Sequence, residues 1–182
     1  MGNTSGEIVM QADDIRNASA KLAEGIVERA LDPQKLVLVG IHTGGVHLSK
    51  RIQKIILDRY HLAVPVGTLD ITLYRDDWTR LHNQPVVKAT HLPFEIDERE
   101  VVLVDDVLFT GRTIRAALDA LIDYGRPKTV QVAVLVDRGH RELPIFAQFI
   151  GLHLETSMEE QVNVLFSEKD GIDQVVTERP SA

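Results

Sequence analysis

The chain has 182 residues, 44% of them hydrophobic and 26% charged, the balance of an average globular protein with length enough to bury roughly 70% of the surface its unfolded form exposes. It contains no cysteine and carries a formal net charge of −7, which excludes disulfide frameworks, thiolate metal sites and cysteine nucleophiles and argues against a surface that attracts polyanions throughout. No stretch approaches the roughly 18 consecutive apolar residues of a membrane-spanning helix, and the opening MGNTSGEIVMQADD has neither the charged nor the apolar region of a secretory signal, so a cytoplasmic location is expected.

From Asp13 to Arg29 the apolar residues Ile15, Ala18, Leu22 and Ile26 recur at helical spacing behind the acidic pair Asp13-Asp14, which predicts a first helix with its cap and dipole partner. Leu36 to Gly40 is a short continuous apolar run ending in glycine, as in a central strand covered on both faces. A loop, Ile41-His42-Thr43-Gly44-Gly45, follows it, and Leu48, Ile52, Ile55 and Ile56 mark a second amphipathic helix reaching about Tyr60. Leu69, Ile71 and Leu73 then alternate with Thr68, Asp70, Thr72 and Tyr74, the period of a half-buried strand.

Arg75 to Glu100 holds two prolines and many charges and exceeds the usual length of a connection. It is expected to form a mobile hairpin or lid over about residues 74–100, with strand character near Val86-Val87. Val101 to Val104 restores a buried strand, Ile114, Ala117, Leu118, Leu121 and Ile122 fall on one helical face, and Gly125 and Pro127 end that helix. Val130, Val132, Val134 and Val136 form a further strand that stops at Asp137-Arg138-Gly139-His140. Weaker strand signals lie at Gln148–Ile150 and Val162–Phe166, and residues 167–182 are expected to be a polar, peripheral tail. Alternating strands and helices imply an α/β fold with a mostly parallel, doubly wound sheet, one domain over residues 1–182, and ligands beyond the carboxyl ends of the strands.

Within VVLVDDVLFTGRT a buried strand delivers Asp105 and Asp106 to its end, and Val107, Leu108 and Phe109 lead to Thr110-Gly111-Arg112-Thr113 at the start of the next helix. A helix start offers free backbone N–H groups and a positive dipole end, glycine permits close backbone approach, and the threonines add hydroxyl donors, so a phosphate suits this loop. The aspartates are acceptors. They suit ribose hydroxyls, or Mg²⁺ through water, and favour positive charge developing on a sugar. An acidic pair alone is equally a helix cap or the acidic pocket of a receiver domain, but receiver domains place that pair after their first strand, and no Gly-Lys-Ser/Thr follows a strand to make a P-loop.

Hydrophobic strand, acidic pair, Thr-Gly-x-Thr and helix in this order resemble the phosphoribosyl-pyrophosphate signature of the type I phosphoribosyltransferases. Leu69-Asp70-Ile71-Thr72-Leu73-Tyr74-Arg75-Asp76-Asp77, Tyr124-Gly125-Arg126-Pro127 and Val136-Asp137-Arg138-Gly139-His140-Arg141-Glu142-Leu143-Pro144-Ile145 resemble, over nearly the whole chain, the PyrR family of bacterial pyrimidine-operon regulators that are also uracil phosphoribosyltransferases. That resemblance implies transfer of phosphoribose from phosphoribosyl pyrophosphate to uracil, giving UMP, with Mg²⁺ held through the substrate and no metal ligated directly by side chains. Asp105 and Asp106 become the catalytic pair. Thr43, Gly44 and Gly45 form the pyrophosphate loop, Tyr74 to Asp77 begin the lid, Arg75 and Arg112 are phosphate or pyrophosphate contacts, Asp137 and Arg138 lie beside the base, and Val162 stacks near it. A homodimer or larger homo-oligomer is implied, to which Phe146 and Leu152 would contribute, and operon leader RNA is the implied partner of Lys21, His140 and Arg141.

The chain departs from the family pattern in two places. Gly44 stands where the pyrophosphate loop commonly carries arginine, leaving His42 or backbone N–H groups to meet the anion. Around the expected RNA face, Ala20, Glu24, Phe146 and Leu152 accompany the few basic side chains, which lowers the phosphate neutralisation on which RNA affinity rests.

Overall fold

A computed structural model describes residues 6–76 and 88–179. In chain order the elements are β1 (Glu7–Met10), α1 (Ala12–Arg29), β2 (Leu36–Ile41), α2 (Gly44–Tyr60), β3 (Val66–Leu69), a 3₁₀ turn (Thr72–Tyr74), β4 (Glu100–Leu108), α3 (Arg112–Ile122), β5 (Thr129–Asp137), β6 (Phe149–His153), β7 (Gln161–Leu165), α4 (Ser167–Asp170) and β8 (Gln174–Glu178). Five strands pair in the order β3-β2-β4-β5-β6, every neighbour parallel.

The continuous apolar runs of β2 and β4 are two interleaved faces. Leu36, Leu38, Val102 and Val104 join Ile15, Leu22 and Ile26 of α1 and Leu48, Ile52 and Ile56 of α2 in one buried cluster. Val37, Val39, Ile41, Val101 and Leu103 join Ile114, Ala117 and Leu121 of α3 in the other. A strand buried on both faces has no position left for an alternating polar residue, which is why these segments look uniformly apolar. Helices α2 and α3 leave the sheet on opposite faces from neighbouring strands, so the ends of β2 and β4 border a topological switch point, the crevice in which such sheets bind ligands. The acidic start of α1 does what its position predicts, since Asp14 accepts the backbone N–H of Gln11 at 2.9 Å.

Four expectations change. The alternating stretch around residues 69–74 is a strand only as far as Leu69; the Asp70 carboxylate accepts the Thr72 amide at 2.9 Å and its hydroxyl at 2.5 Å, a local side-chain turn that competes with the ladder. The lid is shorter on its return side, because His91 exchanges both backbone hydrogen bonds with Thr68 and Ile96 is buried; Val86-Val87 lies outside the described residues. Ile122, expected on the buried face of its helix, is 64% exposed.

The polar tail is not peripheral. β8 is the middle strand of a second, antiparallel sheet, β1-β8-β7, with Phe166 and Val175 fully buried. Its charges are satisfied internally: Arg51 of α2 donates to Glu168 at 2.8 and 2.5 Å and to Asp173 at 3.1 and 2.7 Å, and stacks 4.9 Å over the Phe166 ring. That guanidinium links α2 to the segment joining β7 and β8, alongside the apolar contacts of Met10, Phe166 and Val175 with the core of the large sheet. No helix among the described residues is long and apolar enough to cross a membrane.

Candidate active site

The site grows from the paired ends of β2 and β4. Gly40 sits opposite Val104 in the parallel register, so the loop after β2 and the acidic pair of β4 emerge side by side. A cavity of about 480 Å³ opens there, lined by His42, Thr43, Gly44 and His47 from the first, Asp105, Asp106 and Val107 from the second, and Thr113 at the start of α3. Asp70, Thr72, Arg75 and Lys88 line it from the two legs of the long loop, and Val164, Phe166, Lys169 and Asp170 from the small sheet.

Close contact explains the glycines. A Cβ on Gly44 would lie 1.9 Å from the Asp106 carboxylate oxygen, and one on Gly45 2.0 Å from the Val104 carbonyl oxygen. A side chain at Gly45 would require the β4 backbone to move, whereas one at Gly44 would require the Asp106 side chain to shift, so Gly44 leaves that carboxylate its present place. The His42–Thr43 peptide is cis. His42 lines the cavity with a buried Nε2 that has no hydrogen-bond partner among the described residues.

Asp105 is buried at 6% exposure and accepts the Asp106 amide at 3.0 Å, while Asp106 accepts the Val107 amide at 2.9 Å. Burial, reinforced by the charge of Asp106, pushes the Asp105 carboxyl well above its ordinary value. Burial also raises Asp106, with Lys169 across the cavity acting in the opposite direction. Two adjacent buried carboxylates resist ionisation unless a positive group comes between them and solvent. Asp70 behaves oppositely: burial works against its charge, yet hydrogen bonds from Thr72 and the Lys88 amide outweigh it and hold the carboxyl below its ordinary value.

A second cavity, about 290 Å³, shares Arg75, Val107 and Thr113 with the first and is lined by Leu108, Phe109, Thr110, Gly111 and Arg112. Gly111 caps α3 with φ 92°, a left-handed conformation that turns the following N–H groups toward the loop. Arg112 donates to Glu142 at 2.7 Å and to Asp76 at 2.6 Å, so an anion entering here competes with two surface carboxylates.

Behind this loop, the Asp137–Glu142 segment forms a brace. The Arg138 guanidinium stacks 4.0 Å from the Phe109 ring and donates to the Ser157 carbonyl at 2.9 Å. Arg141 donates to both Asp137 oxygens at 2.6 and 2.5 Å and to the carbonyls of Phe109 at 2.6 Å and Ile145 at 3.0 Å. His140 Nε2 lies 2.6 Å from the Thr156 carbonyl. Lys21 is exposed on α1, away from this group in the chain and on another element.

The structure thus brings together Thr43, Gly44, Arg75, Asp105, Asp106 and the whole Val107–Thr113 segment around two adjoining cavities. Asp137 and Arg138 line a separate recess with His140, Arg141 and His153, next to the phosphate-type loop through the Arg138 N–H to Leu108 carbonyl bond of 3.1 Å. Val162 packs against the core, and Val164, on the same face two residues later, lines the main cavity. Asp70, Lys88, His47, Lys169 and Asp170 also line it; for Lys88, Lys169 and Asp170 local sequence carries no signal, because tertiary pairing alone brings α4 and the return leg of the loop to this edge.

A family model for the phosphoribosyl transferase domain matches residues 9–165. The chain is 67% identical over 179 residues to the bifunctional protein PyrR of Syntrophobacter fumaroxidans, covering 98% of this chain and 96% of that protein. It is 52% identical over 182 residues to the bifunctional protein PyrR of Chloroflexus aurantiacus, covering 100% and 99%. Among solved structures it resembles a hypoxanthine phosphoribosyltransferase of Trypanosoma cruzi with a TM-score of 0.73 at 18% identity, covering 99% and 94%, and one of Staphylococcus aureus with a TM-score of 0.70 at 19% identity, covering 99% and 98%. A parallel sheet that ends in a buried acidic pair between two glycine-bearing loops is therefore not an isolated likeness: the chain belongs to the phosphoribosyl transferase family and, within it, to the PyrR proteins.

Proposed function

We propose that this enzyme transfers phosphoribose from phosphoribosyl pyrophosphate to uracil, forming UMP and pyrophosphate. The observation that carries the reading is the Asp105-Asp106 pair at the end of β4, in one cavity with the Thr43–Gly45 loop and bordering the Thr110–Thr113 loop. The spacing suits a ligand with an anionic group at each end and a sugar between them. The 5′-phosphate takes the N–H groups and hydroxyls at the start of α3, the pyrophosphate takes the loop after β2, and the ribose lies over the aspartates.

In the reaction a ring nitrogen of uracil forms a bond to the anomeric carbon as the bond from that carbon to the pyrophosphate oxygen breaks, and the nitrogen's proton leaves to solvent or base. The sugar carries partial positive charge at the midpoint. Asp105 and Asp106 stabilise that charge and orient the ribose hydroxyls, which is electrostatic positioning and needs no covalent enzyme intermediate. Two adjacent carboxylates that burial holds against ionisation fit a divalent cation brought with the substrate. A cation held through the oxygens of the substrate would lie over the pair and needs no direct side-chain ligand. Bound there, Mg²⁺ would supply neutralisation of the pyrophosphate charge.

Asp106→Asn tests the assignment: we expect turnover to fall roughly 100- to 1,000-fold with an unchanged melting temperature or a higher one. Undiminished turnover would remove the acidic pair from the mechanism.

The relatives' second role, regulation of pyrimidine operons, is proposed for the same nucleotide site, with UMP as signal, leader RNA as partner and the cytoplasm as location. The thinned basic surface supports a weak contact. Arg141 spends its donors inside the chain, Phe146 is 68% exposed, and Lys21 remains available on α1. We therefore expect the affinity for leader RNA to show a shallow dependence on salt, with few phosphates neutralised; a steep dependence in a salt titration would contradict this.

A further inference from the structure

The main cavity holds four carboxylates, Asp70, Asp105, Asp106 and Asp170, on the edge where the proposed substrate carries its pyrophosphate. The loop proposed to hold that group, Thr43-Gly44-Gly45, has no cationic side chain, and a Cβ at Gly44 would meet the Asp106 carboxylate at 1.9 Å. Positive charge beyond that of a bound Mg²⁺ must come from other elements, and Arg75, Lys88 and Lys169 line the cavity. Lys169 is drawn toward acids, with its ammonium 3.7 Å from Asp170 and its field favouring ionised Asp106. Lys88 is placed differently. Its Nζ donates to the Thr43 hydroxyl at 3.2 Å, and its own backbone N–H is fixed to Asp70 Oδ2 at 2.5 Å. Among the described residues no carboxylate pairs with this ammonium, and the bond to Thr43 uses one of its three donors.

We infer that Lys88 is a pyrophosphate-binding residue, supplying from the return leg of the long loop the charge that the Thr43–Gly45 loop lacks. The inference rests on the proposed reading of the site and adds a residue to it. A compact, strongly charged ammonium suits the dispersed charge of a diphosphate, and its hold tightens as the departing group gains negative charge. Asp70 positions it: the carboxylate that ends β3 by turning Thr72 also grips the Lys88 amide, so the backbone carrying the lysine is registered to the strand beside the cavity. Because that grip is a main-chain bond, replacing the lysine side chain leaves it in place.

The test is calorimetric titration of the intact protein with inorganic pyrophosphate plus Mg²⁺, and separately with UMP, for wild type, Lys88→Met and Lys88→Arg. Loss of one charge-assisted contact predicts that Lys88→Met weakens pyrophosphate binding about 10- to 100-fold, leaves UMP binding unchanged and raises the KM for phosphoribosyl pyrophosphate; Lys88→Arg keeps most of the affinity. Pyrophosphate affinity in Lys88→Met equal to wild type would overturn the inference, as would an equal loss for UMP, which would mark a collapsed site, or a wild-type protein that binds no pyrophosphate. Failure of the functional reading looks different: wild type would bind pyrophosphate yet transfer phosphoribose to no pyrimidine.

Discussion

At the scale of single residues the site is built from groups that are costly to the fold. The Asp105 carboxyl is pushed upward by burial and by its neighbour, so the native state binds its proton more tightly than the unfolded chain does. Stability is then fully retained below the ordinary carboxylate value and declines as pH rises above it toward the raised native value. Asp105→Asn keeps an oxygen to accept the Asp106 amide and removes the ionisation. We expect the variant to melt about 2–4 °C higher than wild type at neutral pH, with the difference closing near pH 4 and activity lost throughout. A melting curve that is lower at every pH would show that the charge does not oppose folding. The acidic pair and the Thr110–Thr113 loop were legible in the sequence because they are contiguous and follow one strand. Lys169 was not, since nothing near it in the chain announces a cavity, and Lys88 lay within the expected lid with nothing to single it out.

At the scale of elements, the ends of the long loop matter more than its length. Asp70 accepts N–H groups from Thr72 and Lys88, sixteen residues apart along β3's exit and return, and Thr68 and His91 form an antiparallel bridge beneath them. Asp70→Ala frees both amides. Hydrogen exchange is expected to accelerate at Thr72 and Lys88 and to stay unchanged in β2 and β4, whose amides lie in the sheet; equal protection in the variant would mean that the clasp contributes nothing. Alternation alone suggested that the strand continued to Leu73. A single aspartate side chain, able to replace the ladder's hydrogen bonds locally, stops it at Leu69, and periodicity carries no trace of that competition.

At the scale of the whole molecule, two sheets share the site, and the smaller one was illegible because its strands come from the two ends of the described chain: β1 and β7 meet only through β8. The central sheet was legible, since each of its strands is a local apolar run followed by a helix of matching period. Arg51 bonds to the segment between β7 and β8 and keeps the Glu168 carboxyl below its ordinary value by direct hydrogen bonding. Its contribution is therefore present at neutral pH and is lost as pH falls below the ordinary carboxylate range. Arg51→Met is expected to cost about 2 kcal/mol, from charge-assisted hydrogen bonds lost at a partly buried position, or roughly 4–8 °C in melting temperature at neutral pH, with a smaller loss in acid. An unchanged melting temperature would place the coupling of the sheets in the apolar contacts around Phe166 instead. What the two sheets enclose is the central claim, and it is tested most directly by pyrophosphate release from phosphoribosyl pyrophosphate with Mg²⁺ in the presence of uracil, hypoxanthine, guanine or no base. The account predicts release with uracil, UMP as the co-product, and none with either purine; release with a purine and not with uracil, or with no base at all, would contradict it.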